Sequence, residues 1–66
     1  MQLLLNGETR EFSDEATLTD ALDALGMDPL RVATLVNDQV VRRQQRGALV
    51  LKEGDRVEAF TFACGG

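Results

Sequence analysis

Apolar and polar positions recur along this chain with two different periods, and the changes of period mark its elements. In the opening run Met1-Gln2-Leu3-Leu4-Leu5, Leu3 and Leu5 fall on one face of an extended strand, and Asn6-Gly7 follows at once. Asn-Gly between extended stretches predicts a two-residue hairpin loop, because a type I′ turn needs positive φ at both central positions. Glu8-Thr9-Arg10-Glu11-Phe12 is then the return strand, with Leu5 opposite Glu8, Leu3 opposite Arg10 and Met1 opposite Phe12. With Leu3 and Leu5 pointing into a core, Leu4 points away from it.

After a polar turn over residues 13–16 the period becomes helical. Leu18, Ala21, Leu22 and Leu25 stand at i, i+3, i+4 and i+7, one apolar stripe, while Thr19, Asp20 and Asp23 face the other way. Thr17 offers an N-cap with Asp20 three residues on, Gly26 suits the residue just past the last turn, and Pro29 opposes continuation. Two turns of helix are unstable alone in water, so this one is expected to lie on a sheet.

The rest of the chain reads as strands. Val32-Ala33-Thr34-Leu35-Val36 is β-branched and apolar, a central strand; Asn37-Asp38 turns the chain, and Gln39-Val40-Val41 is a brief extended piece. Residues 42–47, with Arg42, Arg43 and Arg46, read as a solvated basic loop, and residues 48–51 as a short irregular or 3₁₀ segment. Lys52-Glu53-Gly54-Asp55 is a turn that launches the last strand, in which Val57, Ala59 and Thr61 share one face and Glu58, Phe60 and Phe62 the other. The expected core is Leu3, Leu5, Leu18, Leu22, Leu25, Val57 and Ala59. The pattern predicts an α+β layer: a mixed sheet of four to five strands, the first and last central, with one amphipathic helix on one face.

Composition narrows the function classes. Sixty-six residues make one domain, 1–66, and a chain of this size buries only about 60% of its unfolded surface, so the core is thin. With no His and a single Cys, a His-based triad, an internal disulfide and a Cys/His zinc site are all excluded. A net charge of −4 argues against nucleic acid as a partner, since phosphate binding calls for a basic surface. No apolar run reaches membrane-spanning or signal-peptide length, and a lone thiol suits a reducing compartment, so the expectation is a cytoplasmic protein with no membrane partner.

Asp14, Glu15, Asp20 and Asp23 read as surface charges rather than an acid/base pair, and Gly54-Asp55 lacks the spacing of a phosphate loop. The chain is therefore not expected to be an enzyme, and three other features stand out. Gly65-Gly66 ends a run, residues 62–66, that leaves the last strand; without β-carbons such a pair can thread a narrow channel, and residues 63–66 are expected to form a flexible tail. Cys64 lies beside it, a small side chain or a thiol able to form a mixed disulfide with a partner. Leu4, Phe60 and Phe62 share the sheet face away from the helix, where large apolar groups mark an interaction patch provided the register holds.

Taken together, Met1-Gln2-Leu3 opening into a strand, the Asn6-Gly7 hairpin, the helix from Thr17 to Leu25, Val36-Asn37 followed by Val40-Val41, Leu51 through Gly54-Asp55 to Val57, and the closing Gly65-Gly66 resemble the ubiquitin-like sulfur carriers, most closely the ThiS family of thiamine biosynthesis. The resemblance covers essentially the whole chain. It implies a β-grasp fold and a carrier role, in which a ThiF-like adenylyltransferase uses Mg-ATP to convert the carboxylate of Gly66 into an acyl-adenylate. A cysteine desulfurase or similar donor then supplies sulfur to give a thiocarboxylate, which the ThiS branch delivers to a ThiG-like thiazole synthase. By the same resemblance Gly66 carries the group, Gly65 and Cys64 belong to the threading tail, Leu4, Phe60 and Phe62 dock the partner, and the chain itself binds no cofactor. Cys64 departs from the alanine or glycine expected before Gly-Gly, which leaves open the pathway branch: molybdopterin, cysteine and homocysteine carriers have similar bodies. A ubiquitin-like modifier joined through Gly66 to lysines, and a plain interaction module, remain the alternatives.

Overall fold

The computed structural model describes residues 1–61. Its elements are β1 (Gln2–Leu5), β2 (Glu8–Glu11), α1 (Leu18–Leu25), β3 (Val32–Val36), β4 (Gln39–Val41), a 3₁₀ helix (Arg43–Gln45) and β5 (Arg56–Thr61). The five strands form one sheet in the order β2-β1-β5-β3-β4. β1 and β5 run parallel, pairing Leu4 with Arg56 and Leu5 with Val57, and every other pairing is antiparallel. The mixed sheet with one helix is the expected architecture, at five strands.

Both hairpins follow from backbone conformations that few residues accept. Asn6 (φ 48°) and Gly7 (φ 85°) link β1 to β2, and Asn37 (φ 51°) and Asp38 (φ 70°) link β3 to β4. Asn, Asp and Gly reach this left-handed region most readily, so each pair closes a two-residue loop whose twist matches the strands. The first hairpin has the expected register, Leu5 opposite Glu8 and Leu3 opposite Arg10.

The two asparagines also complete the central strand. β1 ends at Leu5, short of Ala59; the Asn6 amide fills the gap, donating from Nδ2 to the Ala59 carbonyl (3.2 Å) and accepting from the Ala59 N–H at Oδ1 (2.8 Å). Asn37 does the same at the other end of β5, where its Oδ1 accepts from the Arg56 N–H (3.0 Å) and its own N–H donates to the Arg56 carbonyl (2.8 Å). Buried or half-buried backbone groups need such partners, so both turns serve β5 as well as their own strands.

Thr17 caps α1 through a full capping box: its hydroxyl accepts from the Asp20 N–H, and the Asp20 carboxylate accepts from the Thr17 N–H (2.9 Å). Gly26 ends the helix at φ 70°, its N–H donating to the Leu22 and Asp23 carbonyls, a conformation in which a β-carbon would be strained. Leu18, Ala21 and Leu22 are buried against Leu3, Leu5, Val57 and Ala59, while Leu25 is only half-buried at the margin. Ala16, Val32 and Leu51 complete the core.

Residues 48–51 are irregular, one of the two expected forms, with Val50 making an isolated bridge to Thr17, and a 3₁₀ turn falls earlier, at Arg43–Gln45. One expectation for the segment after β4 is corrected. The basic stretch is not uniformly solvated. Arg42 and Arg43 are exposed, but Arg46 is only 5% exposed, its guanidinium turned inward. The reason is geometric. β4 stops at Val41, opposite Thr34, and leaves the Val32 carbonyl without a strand partner. Arg46 supplies the donors: Nη2 to the Val32 carbonyl (2.8 Å), Nη1 to the Pro29 carbonyl (2.8 Å) and Nε to Thr34 Oγ1 (3.2 Å). All three nitrogens are satisfied, which makes burial of the charge tolerable.

Candidate functional site

β5 is the strand that leads to the site expected from the sequence. It lies at the centre of the sheet and ends at Thr61, which pairs with Val32 at the start of β3. Gly66, Gly65, Cys64 and Phe62 lie outside the described residues. Of the expected docking residues, Leu4 and Phe60 are described, and both stand on the sheet face away from α1, since Leu3, Leu5, Val57 and Ala59 occupy the other. Phe60 is 53% exposed and Leu4 is half-buried.

They do not form one patch. Leu4 is beside Arg56, four residues before Phe60, a separation of about 13 Å along an extended strand. Arg56 and Glu58 fill the interval, and Arg56 is bonded to Asp38, so a string of charges crosses the middle of this face. The Asp38 hydrogen bond, with its charge and that of Glu58, holds the Arg56 guanidinium above its usual value. The apolar surface around Phe60 instead runs the other way, to Ala33 directly opposite, to Leu35, and across to Val40, which faces Leu35 and is 74% exposed. These three residues were missed in the sequence reading. Their signal was available: Ala33 and Leu35 alternate with the buried Val32 and Thr34.

Beyond Phe60 the face changes character. At the end of the sheet where β5 finishes and β3 begins, a shallow groove of about 360 Å³ is lined by Pro29, Leu30, Val32 and Ala33 together with Arg42 and Arg43. Arg46 lies beneath it, its guanidinium pushed below its ordinary value by burial and then by the nearby charge of Arg43. An arginine starts so high that it remains a cation. A larger open groove of about 820 Å³, which includes Val36, Val40, Leu49, Val50 and Lys52, lies at the other end of β3 and β4. Among the described residues no three metal-ligating side chains cluster, and no helix is long and apolar enough to cross a membrane. Among the described residues the arrangement is thus a central strand whose last residue, Thr61, adjoins an apolar and cationic surface.

Comparison with known proteins gives this arrangement a family. Residues 3–66 match the model of the ThiS family. The sulfur carrier protein ThiS of Escherichia coli is 27% identical over the full length of both chains. Two thiazole synthases, from Paramagnetospirillum magneticum and Magnetococcus marinus, are 35% and 41% identical over all 66 residues. The chain spans only 20% of the length of each of those two proteins. Among solved structures, the thiamine biosynthesis protein ThiS of Geobacter metallireducens superposes with a TM-score of 0.84 at 30% identity, with both chains fully covered. The five-stranded mixed sheet with its single helix is the β-grasp architecture of that structure. The chain belongs to the ThiS family.

Proposed function

We propose that the chain is a sulfur carrier of thiamine biosynthesis, and that the α-carboxylate of Gly66 is the group that carries sulfur. The observation that carries this reading is the family match, which includes Gly65 and Gly66. The chemistry divides between the carrier and its partners. A carboxylate is a poor electrophile, so a ThiF-like adenylyltransferase joins it to AMP from Mg-ATP, releasing pyrophosphate. The terminal sulfur of a persulfide, formed by a cysteine desulfurase or similar donor, attacks the acyl carbon and AMP leaves; a second thiol then reduces the resulting acyl disulfide and releases the carrier. The product is a thiocarboxylate, ionised and nucleophilic at neutral pH. The carrier contributes no catalytic group to these steps; it presents its terminus, and the two glycines let that terminus enter a confined active site.

Thiazole synthase is the acceptor in this reading. In the two relatives named thiazole synthase, a segment similar to this whole chain is part of the same polypeptide, and a carrier joined to its acceptor has a high local concentration there. Partner docking is assigned to the outer sheet face, with Phe60 as its exposed aromatic anchor and Leu4 at its far margin, and the sequence adds Phe62 to the expected docking residues.

Intact-mass measurement tests the proposal. The protein is incubated with Mg-ATP, a ThiF-like enzyme and a sulfur donor, beside a Cys64→Ser variant and a Gly66→Ala variant. Replacement of one oxygen by sulfur, mapped to Gly66 and retained in Cys64→Ser, is the expected result. An isopeptide adduct to lysine instead of a free thiocarboxylate would make the protein a modifier. No gain of sulfur with a partner set active on another carrier would overturn the reading.

A further inference from the structure

The distribution of charge is uneven in a way that the carrier reading does not use. The chain is acidic overall, at −4. Yet Arg31, Arg42, Arg43 and Arg46 lie at or next to the end of the sheet where β5 finishes. The other arginines have carboxylate partners: Arg10 with Glu8, and Arg56 with Asp38 and Glu58. Arg31 has Asp28 at 3.7 Å. Among the described residues none of the ion pairs involves Arg42, Arg43 or Arg46, and Arg46 is tied to two backbone carbonyls and a hydroxyl. Two exposed arginines and a third, buried one thus line one groove, and among the described residues no carboxylate is paired to any of them. Self-repulsion of this kind is unfavourable in the free protein and is relieved when an anionic surface arrives.

The groove between these groups has an apolar floor. Val32 and Ala33 line it, Leu30 at its side is 67% exposed, and Ala33 is directly opposite Phe60. Because Thr61 pairs with Val32, whose Cα lies about 4.5–5.5 Å away across an antiparallel pair, the groove adjoins the last described residue of β5. An enzyme that acts on Gly66, five residues beyond Thr61, works within about 18 Å of Thr61 even if the intervening chain is fully extended.

We propose that this groove is a docking surface for an acidic patch on the adenylating partner, with carboxylates of the partner pairing with Arg42 and Arg43 and an apolar side chain seated on Leu30 and Ala33. The inference rests on the carrier reading for the identity of that partner. Three observations favour a protein over other anions. An apolar centre with an arginine rim is the anatomy of a protein interface. The groove is open and shallow, not a pocket that would enclose a small phosphate. The net negative charge opposes nucleic acid and anionic lipid as partners. Arg46 has a supporting role: locked by three hydrogen bonds, it keeps a positive charge beneath the rim that cannot swing away to solvent.

The test compares two variants that lower the net charge by the same amount. Arg42→Gln/Arg43→Gln removes two positive charges from the groove. Lys52→Glu makes the same change in the turn before β5, at the opposite end of that strand, some 17 Å away for six extended residues. All three substituted positions are exposed, and matched thermal midpoints would confirm intact folds. Affinity for the cognate ThiF-like adenylyltransferase is measured by titration calorimetry at low and high salt, and the KM for the carrier is measured in the sulfur-loading reaction. The expected result is a loss of about tenfold in affinity for the groove variant with a shallower salt dependence, and less than about twofold for Lys52→Glu. Equal effects of the two variants, or no effect of either, would overturn the proposal, as would absence of binding by the wild-type protein. Groove-dependent binding without sulfur gain would overturn the carrier reading and leave the groove as a docking surface; sulfur gain with an unchanged KM would do the reverse.

Discussion

On one side of the sheet Leu3, Leu5, Val57 and Ala59 are buried against α1, whereas on the other the same strands carry Arg56 and Phe60 exposed and Leu4 and Glu58 half-buried. The difference is one of environment, not of backbone. Each inner side chain meets a helix that removes it from water, and each outer one meets only its neighbours on the strand surface. Stability therefore resides in the inner face. The outer face is free to vary, and here it holds a charged string in the middle, an apolar corner at Phe60 and a cationic rim at Arg42 and Arg43. A small domain with one thin core can use a sheet in this way because one covered face suffices to hold it together.

Substitutions that separate the two faces should differ greatly in size. Leu5→Ala on the inner face removes a side chain only 1% exposed and leaves a cavity beneath α1. It should cost about 3 kcal/mol in chemical denaturation, a large share of the stability of a domain this small. Arg46→Met keeps much of the side-chain volume but deprives the Pro29 and Val32 carbonyls of their donors. A loss of about 2 kcal/mol is expected, with faster amide exchange concentrated at residues 29–34. An equal rise in exchange across β1 and β2 would mean that Arg46 stabilises the whole molecule rather than this edge.

Asn6→Ala tests the link between a turn and the central strand. It removes both side-chain bonds to Ala59 and places a less suitable residue at φ 48°, for an expected cost of about 1–2 kcal/mol. Asn6→Gly should recover the conformational part only. Phe60→Ala on the outer face should alter stability by no more than about 0.5 kcal/mol while weakening the ThiF-like partner's binding by tenfold or more. Unchanged affinity would remove Phe60 from the docking surface.

The smallest effect concerns pH. The Met1 ammonium lies beside Glu11 (3.1 Å) and Asp14 (3.3 Å), and the Glu11 hydrogen bond raises it above its ordinary value of 8.0, with Asp14 adding to the shift and desolvation opposing it. A group raised on folding contributes stability that is complete below its unfolded pKa and disappears as the pH rises through its folded value. The thermal midpoint should therefore fall slightly as the pH rises above 8.0, and Glu11→Gln should flatten that fall. A parallel decline in the two proteins would assign it to other groups.

Much of the framework is legible in local sequence. Asn6-Gly7 and Asn37-Asp38 announce their turns because positive φ is tolerated by few residues, and the Leu18/Ala21/Leu22 stripe with Thr17, Asp20 and Gly26 announces α1. The candidate site is less so. The alternation in β5 correctly sends Phe60 to the outer face, but the neighbours of Phe60 depend on which strand lies beside β5. The apolar surface continues to Ala33, Leu35 and Val40 rather than toward Leu4 because the sheet order places β3 on that side and charged residues occupy the path to Leu4. The basic stretch shows the limit most clearly. Arg42, Arg43 and Arg46 are alike as sequence, and no period distinguishes them.

Interactions between near neighbours are written in the local pattern of residues: two tight hairpins, a capped amphipathic helix, and the alternation that separates core from surface. Which polar group completes which strand is settled only when the sheet has assembled. β4 stops short of Val32, so a carbonyl needs a donor and Arg46 is drawn inward; β1 stops short of Ala59, so Asn6 reaches across. Such partnerships span 14 and 53 positions in the chain. They arise because a hydrogen-bonding group removed from water must be matched by whatever the assembled sheet brings near it.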